Sequence, residues 1–278
     1  MIFLFALIKF LKIAKITIRD FMSAITEFKR LVEIMHRLRK ECPWDRKQTP
    51  ESLRQYILEE AYETVEAIDL SNWEELKKEL GDLLLQIVFQ AEIGEEQNRF
   101  NLEEVIKTIN EKLIRRHPHV FGNIQVKNAE EVKDNWEQIK YNQENRSSVL
   151  EGVPKNLSGL LRAQRIQDKA AQVGFDWEKV EGVLDKIKEE ISELELSIKE
   201  KKLEEIENEI GDLIFSIVNL ARFQKINAEN ALRKTINKFI IRFQYIEKKL
   251  AQKNKSIYNS SLQEMDKLWE ESKKQTNK

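Results

Sequence analysis

Apolar positions along this chain recur three and four residues apart, the period of a helix with one buried face, and not in the alternation of a half-buried strand. Thr49 followed by Pro50 reads as an N-cap with proline at the first helical position, opening a helix that carries residues 59–63. Asn72 with Glu75 reads as a capping box opening a helix of about residues 73–97. Two further helices are expected at about residues 179–199 and 202–224. Each half of the chain thus offers helix, short connection, helix, the material of an antiparallel bundle.

The pattern occurs twice. EEAYE at 59–63 returns as EEISE at 189–193, ELGDL at 79–83 as EIGDL at 209–213, and GDLLLQIV at 81–88 as GDLIFSIV at 211–218, all offset by 130 positions. INEKLIRR at 109–116 resembles TINKFIIR at 235–242 at an offset of 126, so Lys112 and Arg116 correspond to Lys238 and Arg242. Ser, Gly and Pro gather in NRSSVLEGVPKNL at 145–157, where the halves should part. The expected organisation is an N-terminal extension over 1–21, one domain over 22–148, a linker over 149–155 and a second domain over 156–278, all of it α-helical.

Composition agrees with the periodicity. Only 8 Gly and 4 Pro are present in 278 residues, too little turn punctuation for a strand-rich fold. The 41% hydrophobic and 34% charged content allows a real core under a charged surface. With 47 basic and 48 acidic residues the net charge is −1, so no global field recruits nucleic acid. One cysteine, Cys42, excludes a disulfide within the chain and suits a reducing, cytoplasmic setting. The apolar run of Met1–Ile18 is broken by Lys9, Lys12 and Lys15, which makes it a poor membrane span. It reads as an extra piece, with an interfacial helix as the alternative.

The candidate chemistry lies in the repeated acids. Glu60 and Glu63 share one helix face, as do Glu79 and Asp82 on the next helix. An antiparallel pairing converges all four, and Glu190, Glu193, Glu209 and Asp212 repeat the arrangement. Carboxylates that close stay ionised together only beside a cation. Oxygen-only ligands select a hard one, Mg²⁺ with Mn²⁺ as the expected substitute. An isolated EExxE string in a Glu-rich chain is an ordinary solvated face. Three features argue for more: the duplication at one spacing, the apolar runs Leu83–Phe89 and Leu213–Leu220 directly after each ExxD, and Gly81 and Gly211 inside helices. Each such glycine costs about 1 kcal/mol relative to alanine, which implies a close backbone approach beside the acids. His36, His117 and His119 lie outside the acidic motifs, which disfavours di-iron and zinc centres, and no GxxxxGK[ST] phosphate loop exists.

With these motifs in place the chain resembles the MazG family of bacterial nucleoside triphosphate pyrophosphohydrolases. The resemblance rests on EExxE, fifteen residues, then ExxD, together with CPWDRKQT at 42–49, RRHPHVFG at 115–122 and VGFDW at 173–177. It runs from Met22 to EMDKLWEE at 264–271. It implies tandem all-α domains, a homodimer with four-helix-bundle-like packing, and hydrolysis of NTPs or dNTPs to the monophosphate and pyrophosphate with broad base tolerance. Pool sanitation and stress-related nucleotide control are the two roles it leaves open. Residue by residue it implies Glu190, Glu193, Glu209 and Asp212 as Mg²⁺ ligands, and Lys186, Lys238, Arg242 and Trp269 as nucleotide contacts. Glu189 or Glu190 is the expected proton acceptor, with Glu193 counted among the catalytic acids. The competing readings are a non-catalytic metal-binding bundle that serves as a partner-binding module, and a helical scaffold whose charge runs are solvated faces.

Overall fold

The computed structural model describes residues 18–128, 131–132 and 148–276, and every regular element among them is helical. The run of residues 1–17, most of the stretch read as an extension, lies outside the described residues. The chain divides into two compact units, the first ending at Lys127 and the second beginning at Asn128.

The first unit holds α1 (Ile18–Glu41), a 3-10 turn (Asp45–Lys47), α2 (Arg54–Asp69), α3 (Trp73–Glu96), α4 (Leu102–Arg116) and α5 (Pro118–Phe121). Its core gathers Met35, Leu53, Val88, Phe89 and Ile93, with Phe28, Leu31 and Val32 of α1 packed against them. Arg39 pins the CPWDRKQT segment to this core. Its guanidinium donates to the carbonyls of Asp45 and Gln48 and to the Glu96 carboxylate.

The second unit holds α6 (Gly159–Gln172), α7 (Val180–Glu200), α8 (Leu203–Phe223), α9 (Ala228–Gln252) and α10 (Leu262–Thr276). Val183 and Val218 are buried in the α7 and α8 helices, and Ile246, Leu250 and Leu268 form a cluster between α9 and α10 that includes Trp269.

The centre of each unit is a helical hairpin, α2–α3 and α7–α8, and the two hairpins are built alike at the turn. Ser71 (φ 52°) and Lys201 (φ 57°), 130 positions apart, both take the left-handed conformation that ends a helix. Asn72 N–H donates to Ala67 O at 3.0 Å, and Lys202 N–H to Ser197 O at 3.3 Å, again 130 apart. The duplication seen in the sequence is therefore a duplication of backbone geometry.

One expected boundary moves. The helix carrying 59–63 begins at Arg54, not at Pro50. Thr49 and Ser52 exchange hydrogen bonds around an irregular turn, and Leu53, 1% exposed, is drawn into the core there. At Asn72 the cap forms, its Oδ1 accepting from Glu75 N–H at 3.2 Å, while the Glu75 carboxylate turns to Lys78. A second expectation fails within the chain. A Cβ added at Gly81 or Gly211 meets nothing within 4 Å, so neither glycine makes room for a neighbour inside its own unit. Both lie on exposed stretches of helix beside apolar stripes, Leu80, Leu84 and Ile87 on α3 and Ile210, Ile214 and Ile217 on α8, which are 38–52% exposed. Among the described residues no helix is long and apolar enough to cross a membrane.

Candidate active site

In the second unit, α7 presents Lys186, Glu189, Glu190 and Glu193 at spacings of three and four, so they fall on one side of the helix. The hairpin brings α8 alongside with Glu209 and Asp212. One carboxylate oxygen each from Glu190, Glu193 and Glu209 lie within 4.8 Å of one another. Glu190 is 4% exposed, and Lys186 Nζ sits 2.8 Å from its Oε1 and 2.8 Å from that of Glu189. Those two bonds raise the Lys186 ammonium above its ordinary range. Burial, then the charges of Glu193, Asp212 and Glu190, raise the Glu209 carboxyl. The acids are thus gathered closer than their mutual repulsion favours, under one partly compensating cation. An all-oxygen donor set under that strain suits a hard metal ion.

These acids line a cavity of about 870 Å³, which also takes in Lys186 and Asp212. Its remaining wall comes from Leu150, from α6 (Ile166, Gln167, Ala170), from the VGFDW segment (Gly174 to Trp177) and from Phe215, Ser216, Asn219 and Arg222 of α8. Gly174 at φ 85° turns the chain there. Asp176 fixes the segment to α8 by two bonds to the Arg222 guanidinium, one of 3.0 Å. Arg222 Nε donates to Asn219 at 2.9 Å. The Trp177 ring lies on the first turn of α7 against Gly182, where a Cβ would stand 2.7 Å from the indole. The sequence quoted VGFDW as a motif but gave no sign of its role, and Gln167, Asp176 and Arg222 were not singled out. Asp176 and Arg222 pair across 46 residues, so no periodic spacing links them.

Other expected contacts stand apart from this cavity. Lys238, Arg242 and Trp269 are absent from its lining. Arg242 and Trp269 meet each other instead, the guanidinium 5.7 Å from the indole centroid, with Phe239 5.2 Å from the same ring. Glu189 is also outside the lining and remains largely exposed beside Lys186.

The first unit gathers a different three of its four acids. Oxygens of Glu60, Glu79 and Asp82 lie within 4.8 Å of one another. Glu63 instead bears on Glu79, whose carboxyl is pushed up to about 6 by burial, by Glu63 and by Glu75. Burial and the charges of Asp82, Glu63 and Glu59 raise Glu60 as well. The surroundings differ more than the acids. At the offset of 130, Lys186 corresponds to Tyr56, Ser216 to Gln86, Asn219 to Phe89 and Arg222 to Glu92. Phe89 belongs to the core of the first unit, with Tyr56 packed against it. Asn219 and Lys186 therefore line the cavity of the second unit at positions where the first unit has a core residue, Phe89, and a residue packed on the core, Tyr56.

Comparison with known proteins adds an independent line. Residues 48–121 and 178–246 match the family described as the MazG nucleotide pyrophosphohydrolase domain. A Thermotoga maritima protein named nucleoside triphosphate pyrophosphohydrolase/pyrophosphatase MazG is 46% identical over 250 residues, 88% of this chain and 95% of its own length. The Escherichia coli K12 nucleoside triphosphate pyrophosphohydrolase is 40% identical over 259 residues, 90% of this chain and 98% of that protein. The uncharacterized protein YabN of Bacillus subtilis is 45% identical over 252 residues, 89% of this chain and 52% of YabN.

Proposed function

The chain belongs to the MazG nucleotide pyrophosphohydrolase family, and from that premise we propose that the acidic cavity of its second unit is the site where nucleoside triphosphates are cut. It is a hydrolase that converts a nucleoside triphosphate to the monophosphate and pyrophosphate. The observation that carries the placement is the meeting of Glu190, Glu193 and Glu209 beside Lys186 in the lining of a cavity of about 870 Å³.

Glu190, Glu193, Glu209 and Asp212 hold Mg²⁺, with Mn²⁺ as a substitute of the same ligand preference. Bound there, the ion supplies the positive charge that lets four carboxylates and a triphosphate share one site. Lys186 adds a point charge toward the phosphates. Glu189 or Glu190, the two acids beside Lys186, takes the proton of the attacking water. The water oxygen bonds to the α-phosphorus as the bond to the bridging oxygen breaks, and the electron pair leaves with pyrophosphate. Lys238 and Arg242 neutralise that leaving group, and Trp269 offers a face to the base, which accounts for a broad base tolerance.

The active form is a homodimer. The stripes at Leu80, Leu84, Ile87 and Ile210, Ile214, Ile217 are apolar, exposed and repeated at one register. With a glycine in each, they favour burial against a second copy in a bundle. A reducing compartment such as the cytoplasm suits the single cysteine.

Incubating the protein with each NTP and dNTP, with Mg²⁺ or with a chelator, tests this reading. Pyrophosphate is expected only in the Mg²⁺ arm. Orthophosphate as the product, or turnover unaffected by chelation, would refute it.

A further inference from the structure

The α7–α8 hairpin is tied at both ends, and its acids lie between the ties. One tie is the turn at Lys201. Glu193 and Glu190 stand eight and eleven residues before it on α7, and Glu209 and Asp212 stand eight and eleven after it on α8. At a helical rise of about 1.5 Å per residue the acids are roughly 12–16 Å from the turn. The far ends of these helices, each of 21 residues, are roughly 30 Å from it. The second tie is there. Asp176, four residues ahead of α7, meets the Arg222 guanidinium in the last turn of α8, each carboxylate oxygen accepting from a different nitrogen. Arg222 Nε donates to Asn219, and Asp176 Oδ1 also accepts from Trp177 N–H at 2.8 Å. The Trp177 ring then lies against Gly182 in the first turn of α7.

The pair is not an ordinary surface contact. The Arg222 side chain is 10% exposed, and a forked guanidinium–carboxylate pair withdrawn from water keeps a geometry that an exposed pair does not. It also joins the end of α8 to the start of α7, the two helices that carry the acids. Like charges facing each other across the α7–α8 seam push those helices apart when no cation lies between them. The turn opposes that push at one end of the hairpin, and Asp176–Arg222 opposes it at the other. The first unit shares the turn but closes its far end differently. At the offset of 130, Asp176 is Arg46 and Arg222 is Glu92, which pairs with His36 of α1 at 2.6 Å.

We propose that Asp176 and Arg222 are positioning residues for the metal-binding acids: their pair clasps the open end of the hairpin and keeps Glu190 and Glu193 of α7 converged on Glu209 and Asp212 of α8. This rests on the reading of those acids as a metal site. In this role neither residue touches the ion or the phosphates; both act through the spacing of two helices. The sign of the effect separates spacing from simple charge. Removing a negative and removing a positive side chain shift the local field in opposite directions, so a field effect weakens cation binding in one variant and tightens it in the other. Loss of the clasp weakens it in both.

The test is Mn²⁺ binding to the full-length protein without nucleotide, read by electron paramagnetic resonance well below the melting temperature. Every sample carries Glu60→Gln and Glu79→Gln, so that only the second cluster is read. Against that reference, Asp176→Asn and Arg222→Gln should each bind about tenfold more weakly, the scale on which groups behind metal ligands act. The double variant should lose no more than either single one, because the same pair is broken once. Lys255→Met, which breaks the ion pair with Glu264 and touches neither α7 nor α8, should bind as the reference does. If Arg222→Gln does not fold, Arg222→Lys takes its place: it keeps the charge and loses the fork, so spacing predicts weaker binding and a field effect predicts none. Opposite shifts in the two single variants, no shift in either, additive losses in the double variant, or an equal loss in Lys255→Met overturns the positioning role. A reference protein that binds no Mn²⁺ overturns the metal reading of the acids instead.

Discussion

Glu96 shows how a single side chain couples this fold to pH. The Arg39 guanidinium bonded to it holds its carboxyl below the usual carboxylate range. The folded chain therefore binds that proton less readily than the unfolded chain, whose carboxyl titrates near 4.5. The stability the pair contributes is complete above that pH and is lost as pH falls through the folded value. Thermal melts of Glu96→Gln should show a lower midpoint at neutral pH and a flatter acid limb than wild type; an unchanged acid limb would exclude the coupling. At this scale the acids of the site were legible in the sequence, because i, i+3 and i+4 spacing on a helix fixes a shared face without knowledge of the fold. Gln167 and the Asp176–Arg222 pair were not, since their meaning comes from partners 48 and 46 residues away. Nor did spacing tell which three of each four acids draw closest, a matter of rotamers and neighbours.

At the scale of elements, the helices depend on their ends. Asn101 and Glu104 close a full capping box on α4, each side chain accepting from the other's backbone N–H. Asn101→Ala should destabilise the protein by about 1 kcal/mol in urea unfolding, with the slope unchanged. A loss near zero would mean that packing alone sets where α4 starts. Helix bounds were read closely where apolar spacing was regular, with a cap at Asn72 for the first: 73–97 against Trp73–Glu96, 179–199 against Val180–Glu200, and 202–224 against Leu203–Phe223. The start of α2 was misread because Thr49–Pro50 carries a local helix signal that burial of Leu53 overrides. Gly81 and Gly211 misled in a related way, since their helical cost is real but its benefit is not found inside one chain.

At the scale of the molecule, one hairpin has been used twice with different surroundings. The offset of 130 made the duplication legible, and with it the paired acid clusters. It did not show that Phe89 and Tyr56 are built into a core where Asn219 and Lys186 line a cavity, because that depends on α1 and α6, which lie outside the repeat. The exposed stripes predict a contact between copies: Ile214→Lys with Ile217→Glu should shift the protein to monomer in light scattering and lower its turnover. A dimer that survives both changes would place the interface elsewhere.

The central claim is that the second acid cluster, not the first, cuts the triphosphate. The rate of pyrophosphate release in Mg²⁺, compared between Glu193→Gln and Glu63→Gln, tests it most directly. Loss of at least about a hundredfold in Glu193→Gln with folding intact, and a near wild-type rate in Glu63→Gln, is the predicted result. The reverse pattern, or a wild-type rate in Glu193→Gln, would contradict it.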